Sequence, residues 1–126
     1  MKLLIVDDEA TTRNILKNHI QTLLPNCEIF EADNGAIAIF QYLRHKPDIV
    51  FLDLLMPILG GEIFLEVIEE FQRRKIIPKE PRAVVVTSFN DPEKLVQLSS
   101  RASVECVIPK PITQATIERL KPLLVR

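Results

Sequence analysis

Asp53 stands alone among apolar neighbours in the run Ile49 to Pro57, which reads IVFLDLLMP. Other groups able to do chemistry occur as sparsely: the pair Asp7-Asp8 after LLIV, Thr87 after AVVV, and Lys110 after VIP. Carboxylates are weak nucleophiles and hard oxygen ligands, and a lysine ammonium acts as a point charge. If the three acids met, each pair about 5 Å apart would repel by roughly 3 kcal/mol at an effective dielectric near 20. Such a cluster calls for a hard divalent cation with oxygen ligands. Singly, each residue has a plainer explanation, because caps and turns are rich in Asp and Thr and exposed lysines are common. The question is whether the chain brings them together.

The elements that must position them are legible. Leu3 to Val6 is a compact apolar run ending at the acids. Ile15, Leu16, Ile20, Leu23 and Leu24 then fall on one helical stripe, which Pro25-Asn26 ends. Cys27 to Ala32 reads as a second strand, and Asn34 as the cap of a second helix marked by Ala36, Ile37, Phe40 and Leu43. Lys46-Pro47 stops that helix, because a residue before proline resists helical geometry. Ile49 onward is a strand buried on both faces, which Pro57 must end for want of an amide donor. Asp53 therefore lies at or just past its carboxyl end.

Gly60-Gly61 loosens the chain before a third helix carrying Phe64, Val67, Ile68 and Phe71. A basic connector, residues 72–82, leads to a strand over Ala83 to Val86, followed by Thr87-Ser88. Asp91-Pro92 suits an N-cap with proline in the first turn, and Leu95, Val96 and Leu98 form the apolar face of a fourth helix. Val104 to Ile108 is a fifth strand. Thr113 caps a last helix with Ile117, Leu120 and Leu124 inward, which Pro122 distorts or ends early. Five strand–helix units imply an α/β doubly wound parallel sheet with helices on both faces. In such a sheet the carboxyl ends of the strands share one rim, where ligands bind. Residues a hundred positions apart converge there, and the plain explanations weaken together.

Composition narrows the function classes. With 126 residues, 47% of them hydrophobic and 26% charged, the chain suits one domain, 1–126, with a substantial core. A net charge of −1 makes no electrostatic case for nucleic-acid binding, and no run reaches the roughly 20 apolar residues of a membrane span. MKLLIVDDE lacks the features of a signal peptide, and Cys27 and Cys106 have no metal-like spacing. The expectation is a cytoplasmic protein with two unpaired thiols. His19 is expected to pack at the edge of the first helix's stripe, and His45 to be solvated.

The chain resembles the response-regulator receiver family, proteins similar to the chemotaxis protein CheY. The resemblance rests on Asp7-Asp8 after strand one, Asp53 with Met56-Pro57, Thr87 after strand four, and Lys110-Pro111 after strand five, and it covers nearly the whole chain. It implies a flavodoxin-like fold with strand order 2-1-3-4-5. It implies a two-component phosphorelay in which Asp53 accepts a phosphoryl group from a histidine kinase or histidine phosphotransfer protein. The bound metal would be Mg²⁺, or Mn²⁺, held by Asp8, Asp53 and the Leu55 backbone carbonyl, with Asp7 acting through water. Lys110, the Thr87 hydroxyl and the Ser88 amide would meet the phosphoryl oxygens. The expectation is a switch, not an enzyme beyond its own phosphorylation and dephosphorylation. The surface around helix four, strand five and helix five would change, controlling a partner, a homodimer or an output domain.

Two positions depart from the family pattern, and two others bear on phosphoryl lifetime. Where the family usually has an aromatic, three residues before the lysine, this chain has Val107, with one stiff torsion and no ring or hydroxyl. That calls the usual threonine–aromatic coupling into question and leaves helix four and strand five to carry the shift. Gly60 replaces an acidic or amide residue. Leu55 and Phe89, two after the acceptor and two after the threonine, are apolar and bulky; they would shield the acyl phosphate and slow its hydrolysis. A phosphatase using an aspartate nucleophile would need a second acid at Leu55, and a flavin carrier would be repelled by Asp7-Asp8-Glu9. The competing expectation is a docking module that binds its partner regardless of phosphorylation.

Overall fold

The computed structural model describes residues 1–88 and 90–125. Strands β1 (Lys2–Val6), β2 (Glu28–Ala32), β3 (Ile49–Leu52), β4 (Ala83–Thr87) and β5 (Val104–Pro109) alternate with helices α1 (Ala10–Leu23), α2 (Gly35–His45), α3 (Gly61–Arg73) and α4 (Pro92–Ser99). The chain closes with α5 (Gln114–Arg119) and α6 (Lys121–Leu124). All neighbouring strands are parallel, in the expected order β2-β1-β3-β4-β5. Among the described residues, no helix is long and apolar enough to cross a membrane.

The pleat sends alternate side chains to opposite faces, so each central strand feeds two cores. Leu4, Val6, Val50, Leu52, Ala83 and Val85 meet Ala38 and Tyr42 of α2, Phe64, Leu65 and Ile68 of α3, and Leu98 of α4. Leu3, Ile5, Ile49, Phe51, Val84 and Val86 meet Leu16 and Ile20 of α1 with Ile117, Leu120 and Leu124 from the last two helices. A strand buried on both faces has no polar alternation, which is why IVFL is uniformly apolar.

Local signals set the helix ends. The side chains of Asn34, Asp91 and Thr113 accept bonds from the amides of Ile37, Glu93 and Thr116 at 2.9, 3.1 and 3.2 Å. Lys46 ends α2 in the left-handed region, at φ 50°. The last helix breaks at Leu120, and Pro122 sits in the first turn of α6.

Several expectations about faces are corrected. In α2 it is Gly35, Ala38 and Tyr42 that are buried, while Ile37, Phe40 and Leu43 are exposed. The cause is the start of the helix. The Gly35 amide donates to the Leu59 carbonyl at 2.9 Å, and a Cβ at Gly35 would lie 2.3 Å from that oxygen. This contact turns the small residues inward. Ile15 and Val96 are likewise exposed, because only one or two positions per turn reach the sheet in α1 and α4. His45 is not simply solvated: its ring stacks on Phe30, centroids 3.7 Å apart, where α2 ends beside the sheet edge. His19 is half-buried, its Nδ1 2.6 Å from Gln114 Oε1.

Gly60-Gly61 does not loosen the chain. A Cβ on Gly61 would fall 2.4 Å from the Asp53 carbonyl oxygen, and no glycine has positive φ. Gly61 is there for close packing. In β5 the register shifts by one residue: Val104 pairs with Ala83, but Cys106 pairs with Val84. Glu105 is the extra residue, and its carboxylate meets Arg82 Nε at 2.8 Å. Cys27 and Cys106 are both free, near opposite edges of the sheet.

Candidate functional site

The sheet register places the acids side by side. Val6 is level with Leu52, so Asp7 and Asp53 are the next residues on adjacent strands. The ladder continues through both: the Asp53 amide donates to the Val6 carbonyl at 2.9 Å, and the Asp7 amide to the Ala32 carbonyl at 3.1 Å. Each backbone is held, so each carboxylate projects from a fixed point. Asp7 is 4% exposed and Asp53 5% exposed, whereas Asp8 is at the surface. One carboxylate oxygen from each of the three can be chosen so that all lie within 4.8 Å of one another. That donor set, three hard oxygens with no nitrogen or sulfur, fits a small divalent cation.

Lys110 is delivered from the far side of the rim. Thr87 pairs with Pro109 across β4 and β5, and the Lys110 amide donates to the Thr87 carbonyl at 3.0 Å. A cis peptide joins Lys110 to Pro111. The Lys110 ammonium donates to Asp7 Oδ2 at 2.9 Å and lies 3.4 Å from Asp53 Oδ2. Among the residues expected at the site, Asp7, Asp8, Asp53 and Lys110 thus meet directly. Thr87 is buried at the end of β4, one strand from Asp53, and Ser88 follows at the surface.

The others stand further off. Leu55 is 59% exposed and borders a shallow groove with Gly60, Glu62 and Ile63. Its amide is 3.4 Å from Asp53 Oδ1. Val107 is half-buried against the core formed with α2, α3 and α4, a side selected by the register shift at Glu105. Phe89 lies outside the described residues.

The electrostatics are set by burial with one countercharge. Burial raises the Asp53 carboxyl above its ordinary value, and Asp7 adds to this, while Lys110 and the Leu55 amide pull it down. Burial works against the Lys110 ammonium too. There the hydrogen bond to Asp7 and the charges of Asp53 and Asp7 prevail, and its pKa is raised. One lysine shared by two buried acids stabilises its own charged form more than it relieves Asp53.

The two contacts of Arg13 carried no sequence signal. Arg13 donates to the Asp7 carbonyl at 2.7 Å and pairs with Glu31 at 3.1 Å, clamping the start of α1 to β2. The Asp7 side chain also accepts from the Glu9 amide at 2.9 Å, so it shapes the turn as well as facing Lys110. The Arg13 contacts depend on how separate elements approach, which short-range spacing does not encode, whereas the Asp7–Glu9 turn is a local one.

Comparison with known proteins agrees with the fold. Residues 3–120 match the family model described as the response regulator receiver domain. The chain is 33% identical over 127 residues to chemotaxis protein CheY-3 of Vibrio cholerae, covering 100% of this chain and 93% of that protein. It is 32% identical over 126 residues to the transcriptional regulatory protein ResD of Bacillus subtilis, covering 99% of this chain but 48% of ResD. The chain spans less than half the length of ResD and of several other curated relatives. Among solved structures, CheY in the CheX-CheY-BeF3-Mg complex from Borrelia burgdorferi superposes with a TM-score of 0.84 at 24% identity, covering 100% of this chain and 90% of that one, a likeness of fold. Fold, rim and matches together place this chain in the response regulator receiver family of two-component signalling proteins, the CheY-like signalling switches.

Proposed function

We propose that residues 1–126 act as one receiver unit whose Asp53 accepts a phosphoryl group from the phosphohistidine of a cytoplasmic kinase or phosphotransfer protein. An Asp53 carboxylate oxygen attacks phosphorus as the phosphorus–nitrogen bond breaks, and the departing imidazole keeps the electron pair and takes up a proton. The observation that carries this reading is the Lys110 ammonium, 3.4 Å from Asp53 Oδ2 and anchored by Asp7 on the neighbouring strand end. Lys110 would neutralise a phosphoryl oxygen. Asp8, Asp53 and the Leu55 carbonyl would hold Mg²⁺ or Mn²⁺, with Asp7 through water. When bound, the ion supplies charge neutralisation for the acids and the transferring phosphoryl group. The Thr87 hydroxyl and Ser88 amide complete the set of donors.

The test is phosphorylation by acetyl phosphate, followed by intact-mass measurement. The expected result is a gain of one phosphoryl group that depends on Mg²⁺ and disappears with chelator. No mass gain under any metal condition overturns the reading.

The cation site has its own test. Asp8→Asn removes one charge from an exposed position, so the metal-free protein should gain about 0.5 kcal/mol after solvent screening. The variant should also lose the rise in Tm that Mg²⁺ gives the wild type. Unchanged metal response in the variant would remove Asp8 from the ligand set.

Thr87 moves toward the acyl phosphate in this scheme, drawing the β4–α4 loop with it and altering the surface of α4, β5 and α5. Leu55 and Phe89 offer no group to orient an attacking water, so the acyl phosphate should persist for minutes or longer. Decay within seconds, timed after removal of acetyl phosphate, would reject that shielding.

Val107 favours a second reading. Without a ring to couple to Thr87, the protein could dock its partner regardless of phosphorylation. Equal partner binding with and without beryllium fluoride would select that alternative.

A further inference from the structure

Among the described residues, the outward face of α2 is unlike that of any other helix. Its exposed positions are Ala36, Ile37, Phe40, Leu43 and Arg44, four apolar residues and one cation. Phe40 is 62% exposed and Ile37 44%. The outward positions of α1, by contrast, include Thr11, Asn14, Asn18, Gln21 and Thr22. A helix with apolar residues on its inner and outer sides has the pattern of one covered on both. α2 lies over β2, an edge strand, with α3 on its other flank, so its outward face is open to a partner.

We propose that this face pairs with the same face of a second copy of the chain, the two α2 helices running antiparallel about a twofold axis. The stripe is self-complementary in shape and in charge. With the axis between Ala38 and Ile39, Ile37 of each copy meets Phe40 of the other, and Asp33 meets Arg44. Asp33, just before α2, and Arg44, in its last turn, are both exposed. Arg44 has no ion-pair partner among the described residues. No acidic residue occurs in α2 itself, so pairing brings no like charges into the apolar centre. A twofold contact of this kind satisfies both ends of the helix at once. One helix face from each copy makes a small interface, so the dimer is weak and concentration-dependent.

The proposal does not depend on phosphorylation, and its test is sedimentation of the full chain from micromolar to millimolar concentration. Wild type is expected to move from monomer to dimer across that range. Phe40→Glu, at an exposed position that leaves the fold intact, should weaken association about 30-fold or more. Arg44→Asp and Asp33→Arg should each weaken it about fivefold, and the two together should restore it. A wild-type protein that stays monomeric at millimolar concentration overturns the proposal. So does a dimer unaffected by Phe40→Glu, or a double charge exchange no tighter than either single one.

Discussion

Phosphorylation of the Asp53→Asn variant should be undetectable under conditions that fully modify the wild type, and the metal-free variant should be the more stable protein. The first effect follows from chemistry: a carboxamide has no anionic oxygen to form the acyl phosphate. The second follows from linkage. The Asp53 carboxyl has a raised pKa in the folded protein, for burial and Asp7 outweigh Lys110. The folded chain therefore holds the proton more tightly than the unfolded chain does. As pH rises from the ordinary value of 3.8 through the raised one, ionisation costs stability, and the full cost remains at neutral pH.

Asp53→Asn removes that cost. Relief of repulsion, roughly 3 kcal/mol per pair of unit charges 5 Å apart at a dielectric near 20, is offset by the lost attraction to Lys110. A net gain of about 1 kcal/mol is expected in chelator at pH 7, with a flatter pH dependence above pH 4. Urea denaturation at several pH values measures it. Retained phosphorylation at the wild-type rate would mean that another residue is the acceptor.

The second large effect is expected from one methyl group. Gly61→Ala would place a Cβ 2.4 Å from the Asp53 carbonyl oxygen and 2.9 Å from the Leu54 Cα. Both are backbone atoms, so no rotamer change relieves the clash. The Gly61 amide donates to the Leu54 carbonyl at 3.1 Å, which ties the start of α3 to the segment carrying Asp53. The α3 start must move off, or the Asp53 backbone must shift. We expect a loss of about 3 kcal/mol in stability and a fall in phosphorylation rate larger than any change in fold content. Gly60→Ala is the control: its Cβ would sit 3.3 Å from the Leu54 carbonyl oxygen, a distance that a small adjustment accommodates. Comparable losses in the two variants would show that the contact at Asp53 is not the determinant.

These two variants differ in how readable they were. Asp53 announced itself, because a lone carboxylate in an apolar strand has few structural uses. Gly61 read only as flexibility. Its actual role is to let two backbones touch, and the spacing alone does not say that the chain doubles back onto Asp53 and Leu54.

The alternation of strands and helices, the caps at Asn34, Asp91 and Thr113, and the break at Pro122 were settled by short windows of sequence, since each depends on periodicity or on a group two or three residues away. The convergence of Asp7, Asp53 and Lys110 was legible too, because a parallel sheet sends every strand's carboxyl end to the same rim. The inward stripes of Leu16 and Ile20, Phe64 and Ile68, and Ile117 and Leu124 were legible as well, but tertiary structure alone decided three further points. It turned Phe40 outward and Ala38 inward in α2, shifted β5 by one residue so that Val107 faces α4's side, and seated Lys110 closer to Asp7 than to Asp53. The physical reason is common to all three. Hydrophobic pattern specifies what an element is, whereas its rotation and register depend on the closest contacts it makes with distant parts of the chain, here Gly35 on Leu59 and Glu105 on Arg82.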